Sequence, residues 1–142
     1  MSLGINLLLK LLKEAAGVLA PAGFDIEIVE KHHNQKIDAP SGTALMLADA
    51  VGETMPQEPR YVYDRHSQRK KREKAEIGIH SVRGGTIVGE HEVIFAGRDE
   101  IVTLSHTALS KEIFATGSVN AALFLCDQQP GLTTWEDLVS SK

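Results

Sequence analysis

The chain has 142 residues, enough for one hydrophobic core and a single domain. A hydrophobic content of 42% is ordinary for a globular protein, and a formal net charge of −4 argues against a nucleic-acid partner or an anionic membrane surface. The single cysteine, Cys126, excludes an internal disulfide and fits a cytoplasmic setting, and no apolar run approaches a membrane span.

The first apolar stretch, Leu7 to Leu19, is interrupted by Lys10, Lys13 and Glu14 and has no basic residue before it, so it does not read as a secretion signal. Apolar residues at positions 5, 8, 9, 12, 15, 16 and 19 follow helical spacing and predict one wide buried face. Pro21 and Gly23 end the helix. Phe24, Ile26 and Ile28 then alternate with Asp25 and Glu27, which predicts a half-buried strand.

The richest stretch follows, from Glu30 to Ala44. It holds His32 and His33, Lys36, an Asp38-Ala39-Pro40 turn and Ser41-Gly42-Thr43 before a run of helix formers, residues 44–51. Ser41 is placed as the N-cap. A strand leading through a polar loop to a helix start collects chemistry, because the first N–H groups of a helix are unpaired and glycine lets an anion approach them. Lys36 adds a full positive charge, and histidines move protons near neutral pH. These residues together describe a site for a small anion with proton donors beside it. Each also has an ordinary reading: a solvated His-His pair, a capped helix start, a Lys36–Asp38 ion pair.

Residues 52–60, with Gly52, Pro56 and Pro59, predict a loop before a short strand at Tyr61 to Tyr63. Residues 64–74 are strongly basic but carry no aromatic side chain, which favours a solvated loop over a nucleic-acid contact. From Ala75 the pattern is β. Ile77 and Ile79 alternate with Gly78 and His80, and Arg83-Gly84-Gly85 is expected to turn the chain as a hairpin. The next strand is expected over Thr86 to Ala96, with apolar residues on both parities and hence partial burial of both faces. Gly97-Arg98-Asp99 predicts a second hairpin before a last strand, Glu100 to Thr107. His80, His91 and His106 are spread over three strands without close ligand spacing, so no metal site is expected. Ser110 is expected to cap a helix reaching about Leu125, with Ile113, Phe114, Gly117, Ala121, Phe124 and Leu125 on its apolar side. After Pro130-Gly131, Thr133 and Glu136 suggest a capping box for a short final helix carrying Trp135 and Leu138.

The run His32-His33-x-x-Lys36-x-Asp38-Ala39-Pro40-Ser41-Gly42-Thr43-Ala44 resembles the active-site signature of the dihydrodipicolinate reductase (4-hydroxy-tetrahydrodipicolinate reductase) family. Residues 2–12, 76–91 and 105–117 also look like segments of that family, so the resemblance covers nearly the whole chain. It implies an α+β domain, residues 1–142, built on a mixed sheet of about four or five strands. The sheet and substrate site would occupy residues 24–109, with bracketing helices in 1–20 and 110–142. It further implies the substrate-binding and oligomer-forming half of an NADH- or NADPH-dependent enzyme of diaminopimelate and lysine biosynthesis, a homo-oligomer (tetramer or dimer). The family's N-terminal nucleotide-binding domain is expected to be absent, so this fragment alone should be inactive and bind the cofactor poorly. By resemblance His32 and Lys36 match proton donors, and His33, Gly42 and Thr43 match substrate contacts. Lys111 departs from the family, which often has arginine there. The alternative is a non-catalytic dicarboxylate-binding or oligomerisation module.

Overall fold

A computed structural model describes residues 2–140, apart from the side chains of Trp135, Glu136 and Val139. The elements run α1 (Leu3–Leu19), β1 (Asp25–His32), α2 (Gly42–Gly52), β2 (Arg60–Val62), β3 (Glu76–Arg83), β4 (Gly89–Ala96), β5 (Ile101–Ala108), α3 (Glu112–Cys126) and α4 (Trp135–Ser140). The strands form one five-stranded sheet in the order β2-β3-β1-β4-β5. β1 is parallel to β3 and antiparallel to β4, and β4 pairs with β5 as an antiparallel hairpin. This is the mixed α+β architecture that the resemblance implies.

One expectation fails here. Arg83-Gly84-Gly85 does not close a hairpin, because β1 lies between β3 and β4. The turn instead wraps over the end of β1: the Gly84 N–H donates to the His32 carbonyl at 2.9 Å, and the Asn34 N–H donates to the Gly85 carbonyl at 3.2 Å. β1 therefore has its backbone paired on both edges, by β3 and by β4. The strand after the turn accordingly starts at Gly89 rather than Thr86, and the short strand β2 is Arg60–Val62 rather than Tyr61 to Tyr63.

The helices α1 and α2 cover one face of the sheet, and the register arranges that face in rows. Ile26 lies beside Ile77 and Phe95, and Ile28 beside Ile79 and Val93; all six are buried beneath Leu8, Leu12, Ala16, Leu47, Ala48 and Val51. Filling these rows is the main driving force for the fold, at roughly 1.5–3 kcal/mol per buried aliphatic side chain. The next row is polar: Ser81, Glu30, His91 and His106 stand side by side on β3, β1, β4 and β5. The sheet therefore changes from core to chemistry along the same alternation that buries Ile26 and Ile28.

The opposite face is open and charged. Lys31 is held between Glu90 at 3.0 Å and Glu92 at 2.9 Å. Glu27 leans across Gly78 to reach His80 Nε2 at 2.6 Å, and a β-carbon on residue 78 would stand 1.8 Å from its Oε2. The basic run 64–74 is less free than its composition suggests. Arg65 bridges Glu76 and Glu27 at 2.7 and 2.9 Å, and Arg72 joins Glu27, Asp25 and the Ile26 carbonyl. The fully buried Glu76 anchors this strap, because a buried carboxylate must be paired.

Helix α3 contributes only Gly117 to the buried set, while Val119, Leu123 and Leu125 face outward. Its N-cap position is Lys111 rather than Ser110, although the Ser110 hydroxyl accepts the Glu112 N–H at 3.1 Å. The last helix is capped one residue later than expected: the Thr134 N–H donates to Asp137 at 2.7 Å, and the Asp137 N–H returns to the Thr134 hydroxyl at 3.4 Å. Leu138 is buried, whereas the Glu136 and Trp135 side chains of the expected pattern lie outside the described residues.

Candidate active site

The end of β1 and the start of α2 meet over the polar row. Ser41 is the N-cap of α2, its hydroxyl accepting the Ala44 N–H at 3.1 Å. Its own N–H donates to Glu30 Oε1 at 3.1 Å, which ties the helix start to the strand beneath. An open cleft of about 520 Å³ lies above this junction. His32, His33 and Lys36 line it from the strand end and the loop, and Ser41, Gly42 and Thr43 line it from the helix start. Every site residue expected from the sequence therefore reaches one cavity. A β-carbon on Gly42 would meet nothing within 4 Å, so the helix N-terminus is open to an incoming group.

The far wall consists of Val88, before β4, and of Lys111 and Phe114, at the start of α3. Among the described lining residues there are two lysines, two histidines and a helix N-terminus, and no carboxylate. Such a lining favours an anion, with each positive element adding to the same field. Lys36 Nζ pairs with Asp38 Oδ1 at 2.9 Å. That hydrogen bond from Lys36 is the main reason the Asp38 carboxyl is held below its ordinary range. A bound anion would compete with Asp38 for the same ammonium group.

His32 is buried with its Nδ1 2.6 Å from Glu30 Oε2. Glu30 is fully buried and receives a two-pronged contact from Arg83, Nη1 to Oε2 at 2.8 Å and Nη2 to Oε1 at 2.7 Å. Burial alone would raise the Glu30 carboxyl, but Arg83, the Ser81 hydroxyl, His32 and the Ser41 N–H outweigh it and bring it to about 2. Beneath the cleft, the His91 ring meets the His32 ring edge-on, with centroids 5.1 Å apart and planes at 74°. His91 Nε2 lies 3.0 Å from the Ser41 hydroxyl. That hydroxyl accepts from Ala44 through one lone pair, and its O–H is free to donate to an unprotonated His91 Nε2. Burial, reinforced by the neighbouring His32, pushes His91 down to about 4. The pair is thus asymmetric, one ring kept neutral beside another that faces a carboxylate. His106 adjoins His91 in register and His80 lies on the opposite face.

Glu30, Arg83 and His91 are the residues that sequence reasoning did not place at the site. Glu30 had a legible signal: it shares parity with Ile26 and Ile28, so it is a charge on the buried side of a strand. Arg83 had none, because its meeting with Glu30 depends on β3 lying parallel beside β1.

Residues 4–139 match the family model described as "Dihydrodipicolinate reductase, C-terminus". Among curated proteins, the chain is 63% identical over 139 residues to a 4-hydroxy-tetrahydrodipicolinate reductase of Caldanaerobacter subterraneus subsp. tengcongensis, covering 98% of this chain and 55% of the relative. It is 51% identical over 142 residues to the enzyme of the same name from Clostridium novyi, covering 100% of this chain and 56% of the relative. The chain thus spans about half the length of the curated relatives it matches. Among solved structures, a dipicolinate-bound dihydrodipicolinate reductase from Paenisporosarcina sp. TG-14 is similar with a TM-score of 0.66 and 30% identity. That match covers 83% of this chain and 44% of the other.

Proposed function

Because this chain belongs to the dihydrodipicolinate reductase family, as its C-terminal portion, we propose that it forms the substrate-binding and assembly half of an NAD(P)H-dependent 4-hydroxy-tetrahydrodipicolinate reductase of diaminopimelate and lysine biosynthesis. The observation that carries this reading is the convergence of His32, His33, Lys36, Gly42 and Thr43 on one cleft free of lining carboxylates. The ligand it fits is a small cyclic dicarboxylate, the class to which the ligand of the Paenisporosarcina structure belongs.

Gly84 and Gly85 lead into β4 and not into a helix, so they lack the strand-to-helix geometry that presents N–H groups to a pyrophosphate. No residue of this chain is assigned to the cofactor, and the 142 residues alone are expected not to oxidise it. A reduced nicotinamide would supply a hydride to C4 of the ring.

This chain's own work is to bind, orient and protonate. One substrate carboxylate sits at the α2 N-terminus against the N–H groups of Gly42 and Thr43, where dipole and hydrogen bonds act together. Lys36 turns from Asp38 to the ligand, and His33 adds a donor on the loop side. After reduction, electron density shifts through the conjugated imine, and the neighbouring ring carbon requires a proton. His32, at the base of the cleft, delivers it, with Lys36 as a second donor. The open charged face and the exposed Ile101 and Val102 of edge strand β5 support homo-oligomer formation.

Titrating isotope-labelled protein with pyridine-2,6-dicarboxylate tests this reading. Amide shifts should concentrate at residues 32–36 and 41–44. Shifts confined to the basic strap at 64–74 would contradict it.

A further inference from the structure

Glu30 does not line the cleft, yet it has the most complete hydrogen bonding of any carboxylate near it. Oε1 is held by Arg83 Nη2 and the Ser41 N–H, and Oε2 by Arg83 Nη1 and the His32 ring, with the Ser81 hydroxyl as a further donor. Arg83 is itself fastened by a 2.6 Å contact to the Asp38 carbonyl. Parallel pairing of β1 with β3 places Arg83 directly beside His32, so the fork is built into the sheet. This is a costly arrangement to bury unless orientation matters, since a buried ion pair rarely adds net stability.

We infer that Glu30, clamped by Arg83 and the α2 N-cap, is the positioning residue that fixes the His32 ring with Nδ1–H towards the carboxylate, leaving Nε2 as the only ring nitrogen that can serve the cleft. This inference rests on the reading of His32 as the proton donor. An ionised carboxylate is an acceptor only, so the 2.6 Å contact requires a proton on Nδ1. The other edge of the ring passes Gly89, where a β-carbon would lie 3.2 Å from Nε2. The missing side chain leaves that nitrogen room. In the reaction, the Nε2–H bond of the imidazolium breaks as a C–H bond forms at the substrate carbon that took up electron density from the hydride. His32 is left as the neutral Nδ1–H tautomer, and solvent returns the proton to Nε2. Arg83 keeps Glu30 ionised throughout, so the carboxylate neither takes the proton nor turns the ring over.

The test is the tautomer of neutral His32, read by long-range proton–nitrogen correlation in the imidazole region of labelled protein. The expected result for the neutral ring in the parent is Nδ1–H with a bare Nε2. Glu30→Gln sharpens the test. Two donors, Arg83 Nη2 and the Ser41 N–H, converge on the Oε1 position and will hold the amide oxygen there. Only one such donor, Arg83 Nη1, faces the Oε2 position, so the NH₂ group is placed there, displaces that contact and donates to His32 Nδ1. Neutral His32 should therefore switch to the Nε2–H tautomer, while amide shifts distant from the site stay as in the parent. A merely structural carboxylate would not move this signature. An Nε2–H tautomer in the parent overturns the inference, and so does an unchanged tautomer in a folded Glu30→Gln protein. The parent spectrum decides by itself if that variant does not fold. Neither outcome depends on ligand binding, so failure here is distinct from failure of the dicarboxylate titration.

Discussion

Removing Arg83 should expose how much the sheet depends on neutralising Glu30. Arg83→Met keeps an unbranched apolar stem but deletes both N–H contacts to a fully buried carboxylate. In the parent, the Glu30 carboxyl lies at about 2 against an ordinary 4.5. At about 1.4 kcal/mol per pK unit, that depression is worth roughly 3 kcal/mol at neutral pH. Breaking one side of a buried pair typically costs about 3–5 kcal/mol, so the two routes agree. The sign follows from linkage: a carboxyl depressed on folding contributes its stability above 4.5 and loses it as pH falls towards 2. In the variant, burial is less opposed and the carboxyl rises, so its penalty disappears on protonation. Urea unfolding followed by circular dichroism should show the variant about 3 kcal/mol less stable at pH 7. At pH 3, about one pH unit above the folded value, about 1.4 kcal/mol of that contribution remains, so with the lost hydrogen bond to the Asp38 carbonyl the gap should narrow to about 2 kcal/mol. The double change Glu30→Gln with Arg83→Met should recover part of the loss at pH 7. A gap below about 1 kcal/mol at pH 7, or one equal at both pH values, would refute the reasoning.

His91 gives a separate acid sensitivity. Its folded value of about 4 lies below the ordinary 6.5, so the unfolded chain takes up a proton across that window while the folded chain does not. Stability should fall by up to about 3 kcal/mol between those pH values, and His91→Gln should flatten the slope of urea midpoint against pH; an unchanged slope would assign the effect elsewhere. Light scattering at micromolar concentration should find a dimer or tetramer, and Ile101→Lys, which puts a charge on exposed edge strand β5, should shift it towards monomer. A monomeric parent would count against assembly through this half.

Local features were legible in the sequence where one segment carries the whole signal. The alternation of Phe24, Ile26 and Ile28 marked β1, and Ser41 ahead of Ala44 marked the start of α2. Because His32, His33, Lys36, Gly42 and Thr43 fall within that contiguous strand-loop-helix stretch, the cleft's near wall was legible too. What depends on strand order was not. Gly84-Gly85 reads as a hairpin turn in isolation, and nothing in its residues tells that β1 will slip between β3 and β4. The same order brings Arg83 to Glu30, so the clamp beneath His32 was hidden for the same reason. The basic strap misled differently: its composition signals solvent, but its fate is set by Glu27 and by the buried Glu76, which only become its neighbours once the sheet forms.

The most direct test of the dicarboxylate site compares the affinity of pyridine-2,6-dicarboxylate for the parent, Lys36→Ala and His32→Gln proteins. The parent should bind weakly, at about millimolar strength or about −4 kcal/mol, partly because the ligand must take Lys36 from Asp38. Lys36→Ala should lose a charge-assisted contact of about 1.5–3 kcal/mol, and with it detectable binding. His32→Gln should bind nearly as the parent does, because the role proposed for His32 is to deliver a proton and not to hold the ligand. Equal affinity of the Lys36→Ala and parent proteins, or loss of binding in His32→Gln alone, would contradict the assignment.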